Sequence, residues 1–251
     1  RQLVAVVYVE ADKCGVMAGD VDAFANFPAP EMAAQFQSDP SFTVKVGSTE
    51  GETILSTNNQ QKPFDDLRVR QAIAHALNKQ EIIDGAMFGF GTPIGTHFAP
   101  HHAAYVDLTG TYPHDPEKAK QLLAAAGFPN GFKATIKLPP PSYARRGGEI
   151  VASQLAKVGI KLEIIPVQWA QWLDQVFKNK DFDLTIVSHT EPMDIGIYTR
   201  PKYYFQYRNP GFRSARPAAG AQGCGHERAR ARDHGRRDWL GQVDLAGGHA
   251  R

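Results

Sequence analysis

The sequence predicts an α/β lobe with a mixed, largely parallel sheet flanked by helices, and three observations carry that prediction. From Lys133 to Val187 short β-branched runs alternate with amphipathic helical stretches. Upstream of them, two consecutive helices and a third further on begin at clear capping signals. Hydrophobic residues make up 42% and charged residues 22% of the 251 positions, close to soluble globular averages, so there is enough apolar material for a packed core.

In chain order, Leu3 to Val9 is β-branched and apolar and reads as a buried strand that begins mid-domain. Gly19 to Phe24 gives a turn and a short strand, with Asp20 and Asp22 as a solvated turn pair. Ala29 to Asp39 has helical spacing through Met32 and Phe36, and Phe42 to Val46 and Thr53 to Ser56 are strand candidates. Asp65 to Leu77 reads as a helix, with acids at its start and a stripe of Leu67, Val69, Ile73 and Leu77. Asn78 then caps a second helix, Lys79 to Phe88, which Gly89 stops. The Gly-, Pro-, His- and Tyr-rich stretch from Gly89 to His114 is longer than a compact connection needs, which points to a functional or partner-covering loop.

Asp115-Pro116-Glu117 places an N-cap and a first-turn proline ahead of a helix that ends at Gly127. Then follow a strand from Lys133 to Leu138, a helix from Glu149 to Val158, a strand from Lys161 to Ile165, a helix from Trp169 to Lys178 and a strand from Asp183 to Val187. Such alternation implies parallel neighbours joined by right-handed crossovers. In the helix after Ile165, Trp169 shares a stripe with Leu173, Val176 and Phe177 and is expected in the core; stacking of Trp169 or Trp172 on a ligand is the other reading.

Residues 211–251 differ in kind. They hold eight Arg, no Lys and four acids, with eight Ala and eight Gly, and they carry no evident hydrophobic period. The expectation is a disordered Arg-rich tail, or a C-terminus replaced by a change of reading frame, following a first region over residues 1–210. The excess positive charge therefore sits in the tail, and the body, at about −2, exerts no long-range pull on nucleic acid or anionic membrane. Four acids dilute the tail's arginines and no aromatic platform accompanies them, so nucleic-acid binding is not expected.

The longest apolar run is far short of a membrane span, and the opening residues carry no export signal. Cys14 and Cys224 lie in unlike segments and read as free thiols. His97, His101, His102 and His114 fit no regular ligand spacing and are expected to be exposed, so no metal and no cofactor is expected. GxSxG, HExxH, P-loop and glycine-fingerprint motifs are absent. A Ser188, His189 and Glu191 triad fails because neighbouring strand residues point to opposite faces. An enzyme is not expected.

Three stretches resemble a known family: Ala18 to Phe24; Pro63 to Ile73 with Ala76-Leu77-Asn78-Lys79 and Ile82; and Asp115 to Ala119 with Leu122-Leu123 and Ala126-Gly127. The run of Asp, Arg, Val, Arg, Gln and Ala before a double helix is the most specific of them. Together they are similar to the extracytoplasmic solute-binding proteins of peptide and nickel type, family 5, which serve ABC importers. The resemblance covers about Leu3 to Pro210 and implies the second lobe of a two-lobed protein of the type II periplasmic-binding-protein kind. It further implies a periplasmic monomer that binds a peptide or similar amine-bearing solute between its lobes and presents it to ABC permease subunits. An acid near the end of a late second-lobe strand would meet the ligand amine. Here Glu191 and Asp194 follow the last strand, with His189 and Tyr198 as wall or hydrogen-bond partners. The alternative function is a truncated or frame-shifted product that has lost transport, because the unlike tail stands where the family's chain returns to the first lobe.

Overall fold

The computed structural model describes residues 30–49, 51–190, 194–215 and 242–247. Leu3 to Val9, the turn with Asp20 and Asp22, and both cysteines lie outside them. The chain divides into two compact units, Arg1–Thr43 and Val44–Arg251. In the first, a 3₁₀ turn Pro30–Met32 leads into α1 (Ala33–Ser38), where Phe36 is buried and packs edge-on against Phe42 at 5.0 Å between centroids.

The second unit is built on a five-stranded sheet in the order β3-β2-β4-β1-β5: β1 (Glu52–Thr57), β2 (Phe132–Leu138), β3 (Ile160–Pro166), β4 (Leu184–His189) and β5 (Gln242–Gly247). The crossovers give the expected parallel half, β2 lying between β3 and β4. β1 and β5 add an antiparallel half, so the sheet is mixed. Phe42 to Val46 alternates half-buried and exposed positions as a strand would, yet it pairs with no described strand.

Capping sets the helices. α2 (Leu67–Ala76) begins at Asp66, whose carboxylate accepts the Arg68 backbone N–H at 2.8 Å. α3 (Lys79–Met87) begins at Asn78, whose side chain accepts from the Glu81 N–H, and α4 (Pro116–Ala125) at Asp115, which accepts from the Lys118 N–H. α4 ends in a paired closure, Gly127 N–H to Ala124 O and Phe128 N–H to Leu123 O.

α5 runs from Ser142 to Ala156, seven residues longer at its start than the sequence pattern suggests. Gly148 is small because the helix lies against Leu138: a Cβ there would collide with the Leu138 isobutyl group. A second close approach joins the amino ends of β2 and β3. Gly131 and Gly159 have φ of +72° and +92°, and a Cβ on Gly131 would strike the Gly159 carbonyl.

The sheet separates two cores. Leu55, Ile136, Leu138, Leu184 and Ile186 pack against α2 to α5 together with Val69, Ile73, Leu123, Val151 and Leu155. Ile54 and Val187 face the other side, against Trp172, Val176, Phe182 and the aromatics Tyr198, Tyr204, Phe205 and Tyr207. Hence β1 and β4 are buried on both faces.

One expectation is corrected. α6 (Trp169–Trp172) continues as a π-helical turn, Leu173–Lys178, and this helix buries Trp172 and Val176. Trp169, Leu173 and Phe177 are instead 40%, 50% and 39% exposed. Trp172 wins the inward place because its indole N–H finds a buried acceptor, Thr185 Oγ1 at 2.9 Å, a partner hydropathy alone does not reveal.

Two pieces of the C-terminal region are among the described residues. Asn209 caps α7 (Pro210–Ala215) by accepting the Phe212 N–H at 3.0 Å, with Pro210 at the first helical position. Residues 242–247 form β5 on the outer edge of β1. A ladder is made of backbone hydrogen bonds, so a segment poor in core-forming side chains can still complete it.

Arg68 also donates to Asp66 from Nε and Nη2, and these side-chain bonds hold the Asp66 carboxyl below the ordinary carboxylate range. A depressed folded-state value contributes stability above the unfolded value and loses it as pH falls through the folded one. Asp66→Ala is expected to cost about 1 kcal/mol in urea unfolding at pH 7. The gap from the parent protein should narrow once the pH drops below about 4. In the same assay Trp172→Phe should destabilise by about 1–3 kcal/mol, whereas Leu173→Gln should stay within about 0.5 kcal/mol.

Candidate functional site

Because β1 and β4 are antiparallel, the first residue of β1 lies opposite the last residue of β4. The register pairs Glu52 with His189, Ile54 with Val187 and Ser56 with Thr185. Directly opposed residues share a face, so Glu52, Ser56, Thr185 and His189 form a polar line through an otherwise apolar and aromatic core. All four are buried.

Tyr204 of the 198–207 segment bonds two members of this line. Tyr204, only 1% exposed, places its hydroxyl 2.8 Å from Ser56 Oγ and 3.2 Å from His189 Nε2. Its ring lies nearly parallel to the His189 imidazole, 8° apart in plane. Thr185 accepts from the Trp172 indole and donates to the Lys137 carbonyl at 2.7 Å. At the carboxyl end of β4, where α/β sheets place ligands, the Tyr198 hydroxyl lies 3.3 Å from His97 Nδ1. The His97 ring stands edge-on to both Tyr198 at 5.2 Å and His189 at 6.0 Å.

His97 comes from the long loop after α3, which is well anchored. Lys79 Nζ donates to Ile94 O at 2.7 Å, and Thr96 Oγ1 to Val106 O at 3.1 Å. Further along it, Asp107 accepts the Thr109 N–H and hydroxyl, the backbone bond first among the causes holding its carboxyl below the usual range. The loop therefore acts as a wall that brings one imidazole against the end of β4.

Of the four residues named from sequence, His189 and Tyr198 are brought together, both inward-facing, at 7% and 4% exposure, and connected through His97. Asp194 opens the 3₁₀ helix Asp194–Thr199 that carries Tyr198, and it is described by its backbone alone. Glu191 lies outside the described residues.

The expectation of four exposed histidines is corrected at His97, which is 1% exposed because the loop folds it under Tyr198. His101 and His114 are exposed, while His102 stacks on Phe98 at 4.6 Å and accepts the Ala104 N–H at its Nδ1. Among the described residues no group of three or more His, Cys, Asp or Glu could hold a metal ion, and no helix is long and apolar enough to cross a membrane. Sequence reasoning missed Glu52, Ser56 and Tyr204. Glu52 and Ser56 stand at alternate positions of β1 with Ile54 between them, and the side chains they share a face with are set by the pairing to β4; Tyr204 carried no periodic signal.

This arrangement, a buried carboxylate, two imidazoles and several phenols at the carboxyl end of a sheet, can accept and donate hydrogen bonds and receive a cation. Residues 10–208 match the family described as bacterial extracellular solute-binding proteins, family 5, middle region, and the chain belongs to that family. It is 34% identical over 151 residues to heme-binding protein A of Haemophilus influenzae, covering 58% of this chain and 28% of that protein. It is also 34% identical over 152 residues to the dipeptide-binding protein of Escherichia coli, covering 59% of this chain and 28% of that one. The fold matches that of the periplasmic binding protein DppA from Helicobacter pylori in complex with the peptide STSA, with a TM-score of 0.80 at 24% identity over 93% of this chain and 48% of that one. The chain thus spans about half the length of the matched structure and little more than a quarter of these curated relatives.

Tyr204→Phe deletes the hydroxyl shared by Ser56 and His189. Leaving those buried groups short of a partner should cost about 1–3 kcal/mol in denaturant unfolding, against an expected change within about 0.5 kcal/mol for the exposed control Phe177→Tyr.

Proposed function

We propose that this chain supplies a lobe of a solute-binding protein that captures amine-bearing, peptide-like solutes outside the cytoplasmic membrane and delivers them to the permease of an ABC importer. Its role is binding rather than catalysis. The observation that carries this reading is the polar and aromatic cluster at the carboxyl end of β4, within a chain of family 5. The relatives' names span haem and dipeptide, so the ligand class is read from the site: carboxylates in and beside the segment after β4 suit an ammonium group. Glu191 and Asp194 are proposed as the acids that approach that amine, with His189 and Tyr198 forming the wall behind it.

Delivery would follow from closure: a ligand that makes more contacts in the closed state than in the open one shifts the population toward the form the permease accepts. Calorimetric titration with di- to hexapeptides and their N-acetylated counterparts tests the binding step. Free-amine peptides should bind, and Glu191→Gln with Asp194→Asn should weaken them by roughly tenfold or more. Equal affinity for blocked and free amines would remove both acids from the site.

A further inference from the structure

β3 ends the sheet on the side away from β5, and among the described residues it pairs with β2 alone. One hydrogen bond fixes which of its groups face outward. The Val167 N–H donates to Leu138 O on β2, and in a parallel ladder the residues that face a given neighbour alternate. Lys161, Glu163 and Ile165 therefore turn their backbone groups toward β2, and Ile160, Leu162 and Ile164 turn theirs outward. Pro166 falls in the outward set, where its missing N–H costs no bond to β2 and ends the row of outward donors at Ile164. Such a row of donors and acceptors on an edge strand is a template for another strand.

The side chains determine which strand fits. Ile160 belongs to the core shared with α2 to α5 and Leu162 packs against it, so Lys161 and Glu163 stand on the opposite face, both exposed. Their partners in register on β2 are Lys133 and Thr135, and neither forms an ion pair among the described residues. A cation and an anion two positions apart on one face are complementary to the same strand run backwards. In an antiparallel pair centred on Leu162, Lys161 of each copy opposes Glu163 of the other, Leu162 opposes itself, and Ile160 opposes Ile164. The outward backbone groups of Ile160, Leu162 and Ile164 then form the hydrogen-bonded pairs. The charged residues take the non-hydrogen-bonded positions, where side chains come closest. Centring the pair one residue either way sets Lys161 or Glu163 against itself, and like charges directly opposed repel.

We propose that β3 is the contact edge of a homodimer, in which two copies of this chain join through residues 160–164 about a two-fold axis at Leu162. This departs from the monomer that the family resemblance implies, and it is independent of which solute the lobe binds. A strand pair of this length is a small contact, so the dimer is reversible and forms at high protein concentration.

Sedimentation equilibrium of the full chain, from about 10 μM to about 1 mM, tests it. The mass should rise with concentration from 27.6 kDa toward twice that value. Lys161→Glu and Glu163→Lys each set like charges against one another in both cross-strand pairs and should weaken association by roughly tenfold. The double variant restores opposite charges and should recover association, which separates pairing from any effect on folding. Mixing Lys161→Cys with Glu163→Cys, each also carrying Cys14→Ser and Cys224→Ser, should on oxidation give the mixed disulfide in excess of either like pair. A mass that stays at 27.6 kDa over the whole range overturns the proposal. So does a dimer that the single reversals leave unchanged, one that the double variant fails to restore, or a mixed disulfide no more abundant than the like pairs.

Discussion

The antiparallel pairing of β1 with β4 is the constraint on which the rest of this unit depends. It joins the parallel half of the sheet to the antiparallel half, and its register decides which residues meet across it. A slip of one residue would carry Leu55 into the aromatic face and swing Glu52 and Ser56 among the helices. Asn58 guards against that slip. Its side chain donates to the carbonyls of Lys180 and Phe182, its N–H donates to Asp183 O, and its carbonyl oxygen accepts from Gln206 at 2.8 Å. One buried amide thus ties the end of β1 to the entry of β4 and to the tyrosine-rich segment.

That segment explains how a polar line survives inside a core. Tyrosine brings apolar ring area and a hydroxyl on the same rigid frame, so Tyr198 and Tyr204 fill volume and satisfy polar neighbours at once. Phenylalanine at the same positions would fill the space and abandon Ser56 and His189. The polar line and the aromatic segment are therefore one structure, and the position of the 194–199 turn follows from both.

Local chemistry made much of the fold legible in the sequence. Asp66, Asn78 and Asp115 announced their helices because a cap is a short-range bond between a side chain and a backbone group a few positions on. The parallel half of the sheet followed from alternation. What stayed hidden was nonlocal: the start of α5, masked by glycines that serve a helix–strand contact; the inward turn of Trp172, decided by a threonine on another strand; and β5, whose ladder partner is distant in the chain. At the site, His189 and Tyr198 could be named because they sit near the end of one strand. Glu52 gained its meaning only when a register placed it opposite His189.

The contact between Gly131 and Gly159 has a consequence for how this sequence can vary. Two backbones touch there, and neither can yield to a side chain, because each glycine immediately precedes a strand whose pairing starts at Phe132 with Ile160. A substitution at Gly131 is not compensated by trimming a neighbour, since there is no neighbour left to trim. In evolutionary terms the two loops form a locked pair, and variation in this half of the lobe is steered away from the amino ends of the strands and toward the opposite edge, where loops can lengthen without parting the sheet.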